Sequence, residues 1–168
     1  MKTKKLKTSA HFLSLILNIG CIIMGTLSVL LPIGIICMVC IPLFAPETFQ
    51  STWNAICSSG QARSFSQYIL FFLCCSVEFT CLFFIFYNAK KIFSCIGKGH
   101  SPFTKKTAIQ IRKMAIYVMS YGVISAIPIF KISFLSLLIC CLFALILFCI
   151  SLIFDYGCEL QQEVDETL

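Results

Sequence analysis

Charge is scarce in this sequence. Only 12% of its 168 residues are Asp, Glu, Lys or Arg, against about 25% in an average soluble chain. Histidine is limited to His11 and His100, which excludes His-rich metal sites. The phosphate-loop pattern G-x-x-x-x-G-K-[ST] is missing, so Gly97-Lys98-Gly99 is no nucleotide cradle. H-E-x-x-H and G-x-S-x-G do not occur either. Repeat, collagen and coiled-coil compositions are absent. What is abundant is apolar: 59% of residues are hydrophobic, and the mean hydropathy is +0.96. That excludes disorder, which needs low hydrophobicity. It also leaves too little polar surface for a water-soluble globule. The composition describes an integral membrane protein with little chain outside the lipid.

The few charges divide the chain. No charged residue lies between Lys7 and Glu47. A span needs roughly 20 apolar residues, so this stretch is long for one helix and short for two with a turn. Pro32 and Gly34 point to a kink in one helix rather than a hairpin. Further apolar stretches run over about 68–88, broken only by Glu78, then 114–130 and 132–154. The expected fold is an all-α integral membrane protein. It is a four transmembrane helix bundle with both termini cytoplasmic and spans at about 12–44, 68–88, 114–130 and 132–154.

Orientation follows from the basic residues, which gather on the cytoplasmic side. Lys2, Lys4, Lys5 and Lys7 precede the first span. Lys90, Lys91, Lys98, Lys105, Lys106, Arg112 and Lys113 lie between the second and third. Four spans place all eleven on one side and leave Arg63 and Lys131 on the other. Segment 45–66, with Trp53 and Gly60, is then an outside loop, and the link around Lys131 is a tight turn. Segment 89–113 is a basic cytoplasmic loop, in which Thr104 is placed to cap a helix leading into span three. Segment 155–168 is an acidic cytoplasmic tail continuing span four. Anionic lipid accounts for the basic loop, so no direct nucleic-acid contact is expected.

The start imitates a secretory signal, and Leu17, Gly20 and Cys21 hint at a lipoprotein site. The apolar run continues more than twenty residues past Cys21, and Asn18 stands where such a signal prefers Leu. An uncleaved anchor is expected.

Twelve cysteines invite redox or metal readings. Only Cys57 falls in the outside loop, and Cys95 and Cys158 fall inside, so no disulfide framework is expected. The other nine act as small hydrophobes within spans. Cys37 and Cys40 form a C-x-x-C near the outer end of span one, the basis of a thiol-oxidoreductase alternative. Cys74, Cys75 and Cys81 share a helix face with Glu78. Soft ions favour thiolates, yet no His lies near to help, and no metal is expected.

Glu78 is the one formal charge inside a span. Such residues usually turn to the bundle interior. Ser120, Tyr121 and Ser125 in span three are its candidate hydrogen-bond partners. A protonated Glu78 pinning two helices is preferred over a proton or cation relay, which remains the basis of a transporter alternative. Gly122 and Ala126 form a small-xxx-small pair, suited to close packing or to a homo-oligomer.

Two cytoplasmic phrases carry a resemblance. One is Gly97-Lys-Gly-His-Ser-Pro-Phe-Thr104; the other is Tyr156-Gly-Cys-Glu-Leu-Gln-Gln-Glu-Val-Asp-Glu-Thr-Leu168. Together they resemble an uncharacterised bacterial family of four-span membrane proteins, domain of unknown function 2975 (YoaS-like). Its pattern is matched by Gly99, Pro102 and Phe103 in the loop, and by Gly157, Glu159, Leu160, Gln161, Glu163, Asp165, Thr167 and Leu168 in the tail. Val164 stands where that pattern has Asn, and Glu166 where it has an apolar residue. The resemblance implies a bacterial cell membrane and supplies no reaction or cofactor. Pairing of such genes with a small helix-turn-helix regulator implies a cytoplasmic protein partner. The expected role is non-enzymatic, exerted through the cytoplasmic loop and tail.

Overall fold

The computed structural model describes residues 2–58, 64–99, 101–127 and 134–166. Gly60, Arg63, His100, Lys131, Thr167 and Leu168 lie outside the described residues, and with them the tight turn expected at Lys131. All described elements are helices: α1 (Lys2–Phe44), α2 (Pro46–Ser58), α3 (Phe65–Gly97), α4 (Lys105–Ser125) and α5 (Phe134–Glu166).

The first apolar stretch forms one helix that continues through Pro32 and Pro42, not a hairpin. At about 1.5 Å per residue it is about 64 Å long, roughly twice the hydrocarbon core of a bilayer. Segment 45–66, expected as a loop, contains α2 instead. Pro46 sits at its first position, where a missing N–H costs nothing, and Glu47 lies in its first turn beside the positive helix end. Its rings fasten it to α3: Trp53 meets Phe65 edge-on at 5.6 Å and Tyr68 at 5.8 Å.

α1 and α3 run antiparallel over their whole length. Lys7 lies at Gly99, Asn18 bonds Lys90, and Gly20 and Gly25 receive the rings of Phe86 and Phe83. α3 and α4 are also antiparallel: Phe84 stacks on Tyr117 at 5.1 Å, and further along Glu78 meets Ser125. α4 presents Thr107, Ala108, Ile111, Ala115, Gly122 and Ser125 as its buried stripe. Small residues there let backbones approach. A Cβ added to Gly122 would lie 2.5 Å from the Cβ of Cys140 on α5. The helices therefore meet serially, α1 on α3, α3 on α4 and α4 on α5. Among the described residues α1 makes no extensive contact with α4 or α5, so the helices are arranged as an open row.

Three helices are long and apolar enough to cross a membrane: Lys7–Phe44, Phe65–Gly97 and Leu135–Val164. Their outward faces stay apolar and exposed, as at Ile22, Val29, Leu138 and Leu145. A soluble protein does not carry so much contiguous exposed hydrocarbon. α4 is not among the three, because Lys105, Lys106, Arg112 and Lys113 occupy its first half.

Candidate functional site

Serial antiparallel packing brings the start of α1, residues 98–99 and 101–104, and the end of α5 to one end of the row. There the loop grips α5. Thr104 caps α4, its hydroxyl accepting from the Thr107 amide at 3.2 Å. Gly99 adopts φ +87°, a left-handed turn that glycine enters without strain. The chain then places Phe103 on α5. Its ring lies 5.2 Å from that of Phe154, and a Cβ at Gly157 would come within 2.9 Å of it. Ser101 Oγ donates to Gln161 Oε1 at 3.2 Å. Pro102 is half-buried between these contacts.

A second attachment lies about two helix turns along. Arg112 reaches α5 through three groups on one face. Its Nε donates to the buried Ser151 Oγ at 3.4 Å, Nη2 lies 3.6 Å from Asp155 Oδ2, and the guanidinium rests 5.7 Å above the Phe148 ring. The ion pair is about 40% exposed on both sides (41% and 38%), so its Coulomb term is small. The aliphatic stem and the bond to Ser151 contribute packing as well.

Gly99, Pro102, Phe103, Gly157 and Gln161 thus converge at this end of the fold. Glu159, Leu160 and Glu163 lie along the exposed end of α5. A small cavity of about 230 Å³ opens between the loop and α5, with Lys105, Cys158 and Gln162 in its wall. The Asp165 side chain is outside the described residues.

Glu78 is half-buried, and its Oε1 accepts from Ser125 Oγ at 2.7 Å. Ser125 is almost fully buried, at 1% exposure. Ser120 is not a partner: its hydroxyl donates to its own helix at Ile116 O, 3.0 Å away. Tyr121 makes no hydrogen bond to Glu78 among the described residues. The reason is helical phase. Ser120 and Ser125 are five positions apart and point about 140° away from each other, so only one can face α3.

Cys74 and Cys81 are buried against neighbouring helices, and Cys75 is half-buried. Among the described residues no three His, Cys, Asp or Glu side chains converge as a metal-holding group. Cys37 and Cys40 are free thiols. Cys37 lines a half-open apolar cavity of about 460 Å³ together with Trp53, Phe65, Tyr68 and Phe72. That cavity is absent from the sequence reading, because it depends on α2. Phe49 and Trp53, four residues apart behind Pro46, are the signal that marks it.

These features define an all-helical protein with three long apolar helices, compatible with residence in a membrane. Comparison with protein-family models, curated proteins and solved structures gives no match.

Proposed function

We propose that the chain is a four-pass protein of a bacterial cell membrane, with both termini cytoplasmic, acting without enzymatic chemistry on a cytoplasmic protein partner. The resemblance to the domain of unknown function 2975 family motivates the membrane and suggests a small helix-turn-helix regulator as the partner. Eleven of thirteen basic residues then share the cytoplasmic side. α4 supplies the remaining span, the third in chain order. Its apolar part follows Lys113, and Arg112 at its inner end is matched by Ser151, Asp155 and Phe148 of α5.

The observation that carries the reading is the seating of Phe103 on α5 over Gly157. It joins loop and tail into one surface, and leaves Glu159, Leu160, Gln162 and Glu163 exposed beside it. The row's open apolar faces leave room for a homo-oligomer. Removal of Glu159–Leu168 tests the reading. Insertion should be intact and any cellular effect lost in that truncation, while in the full-length chain crosslinking of the regulator from a photoreactive residue at Gln162 should be lost when Phe103→Ala is added. Equal crosslinking with and without a docked loop would overturn it. Topology is tested separately on a background without native cysteines. A Cys at Ser51 should react with an impermeant reagent in intact cells, and one at the exposed Lys106 should not.

A second reading has one observation in its favour. Cys37 faces the aromatic cavity under α2, where an apolar planar oxidant would meet a thiol. A thiol oxidoreductase would show a redox-dependent mobility shift that is lost in Cys37→Ser. A transporter using Glu78 would show liposome flux lost in Glu78→Gln; the bond to Ser125 favours helix pinning instead.

A further inference from the structure

The inner ends of α1 and α3 carry a feature that the loop–tail surface does not use. Lys90, Lys91 and Lys98 line a cavity of about 340 Å³ with Tyr87 and Ser94. Lys7 adds a fourth ammonium at Gly99, next to Lys98. Among the described residues none of these four lysines has a carboxylate partner. The carboxylates at this end of the fold belong to α5, beyond α4, and Asp155 is paired with Arg112. Lys90 is held by Asn18 Oδ1 at 2.7 Å, and Lys91 lies 4.3 Å above the Tyr87 ring. Neither contact neutralises the charge.

Tyr87 and Lys90 also form one end of a second space, a shallow groove of about 630 Å³ between α1 and α3. The groove walls are apolar: Ile22, Val29 and Leu30 from α1, and Phe83 from α3. Gly25 leaves its floor low, since a Cβ there would press on the Phe83 ring at 3.2 Å. From Cys21 to Leu30 the groove follows about 14 Å of helix. That is close to the depth of one leaflet of hydrocarbon, about 15 Å.

We propose that this continuous space is a binding site for one anionic phospholipid. The phosphodiester sits among Lys90, Lys91 and Lys98, accepting from their ammonium groups and from the Ser94 hydroxyl. One acyl chain lies along the groove between Ile22 and Phe83. Charge complementarity identifies the head, because three or four cations without carboxylate partners demand an anion. The apolar continuation identifies a lipid rather than a free phosphate. In the proposed topology this mouth opens at the cytoplasmic leaflet, where anionic lipids reside.

The test uses the full chain purified in a neutral detergent, with lipid binding counted by native mass spectrometry. Phosphatidylglycerol should bind about tenfold better than phosphatidylcholine of the same chains. Lys91→Gln with Lys98→Gln, both exposed positions, should erase that preference. Lys105→Gln with Lys106→Gln on α4 removes the same charge and should leave it intact. Thr26→Trp, which fills the groove without touching a lysine, should weaken both lipids. Lys90→Gln, which keeps a donor for Asn18, should reduce the preference in a chain that remains helical by circular dichroism. The proposal is overturned if the α4 pair has the same effect as the α3 pair. It is also overturned if glycerol 3-phosphate displaces phosphatidylglycerol at equal concentration, since the head alone would then suffice. Loss of the loop–tail surface would not alter any of these results.

Discussion

The ring of Phe103 sits where a side chain at residue 157 would have to be, 2.9 Å from the position of a Cβ on Gly157. The absence of a side chain on α5 is therefore what admits the loop. Gly157→Val should push the ring off α5 and separate Ser101 from Gln161. In a chain without native cysteines, Cys at 101 and 161 should be joined by a short bismaleimide. That yield should fall severalfold when Gly157→Val is added. Phe103→Ala should have the same effect with a smaller cost in stability. The ring is 43% exposed, so its loss falls well short of the 3–5 kcal/mol typical of a buried Phe.

The two ends of the Arg112 contact are unequal. Asp155→Asn keeps the shape and removes a part-exposed charge, so it should shift stability by less than about 0.5 kcal/mol. Arg112→Ala strips the donor from the buried Ser151 hydroxyl and the cover from Phe148, and should cost about 1–2 kcal/mol. Thermal unfolding in detergent distinguishes the two. Equal effects would mean that the ion pair, not the packing, holds α4 to α5.

Two glycines in apolar helices should respond oppositely to the same change. Nothing lies within 4 Å of a Cβ at Gly34, whereas one at Gly122 would meet the Cβ of Cys140 at 2.5 Å. Gly34→Ala should be neutral or stabilising by up to about 1 kcal/mol, the usual helix gain. Gly122→Ala should force α4 and α5 apart and lower the unfolding temperature. Gly122→Ala with Cys140→Gly should recover part of the loss.

Much of this fold was legible because charge is so rare. The gap between Lys7 and Glu47 marks α1, and the cluster from Lys90 to Lys113 marks the ends of α3 and α4. Thr104 as a cap follows from its chemistry and position. α2 is harder to see, although Pro46, Glu47 and the Phe49–Trp53 spacing are helix signals. A short amphipathic helix is easily lost among long apolar ones. The open row could not be read at all, because composition does not say which outward faces meet lipid and which meet each other. The convergence of Phe103 with Gly157 depends on α4 being long enough to bring its start level with the last turns of α5. Local sequence does not show that.

Glu78 illustrates both the reach of the sequence and its limit. Its place within an apolar stretch and its need of a hydroxyl on the neighbouring helix α4 were legible. Residue type alone does not choose between Ser120 and Ser125, but helical phase does. Ala108, Ala115, Gly122 and Ser125 form one small-residue face, and Ser120 is off it. The side chain that completes such a face is the one α3 can reach. Ser120→Ala should therefore be silent, since it removes only a bond to Ile116 O. Ser125→Ala leaves a half-buried carboxyl without its donor and should cost about 1–3 kcal/mol. Glu78→Gln can still accept from Ser125 and should be nearly neutral. Glu78→Lys places a cation near the middle of α3, at about 2.5–3.5 kcal/mol on insertion scales, and should reduce the membrane-inserted fraction. Unfolding temperature and carbonate-resistant membrane yield measure these effects. If Ser120→Ala destabilised as much as Ser125→Ala, α4 would be rotated from the orientation seen here. If Glu78→Gln folded normally but abolished the protein's cellular effect, proton or ion handling would replace helix pinning as the role of this carboxyl.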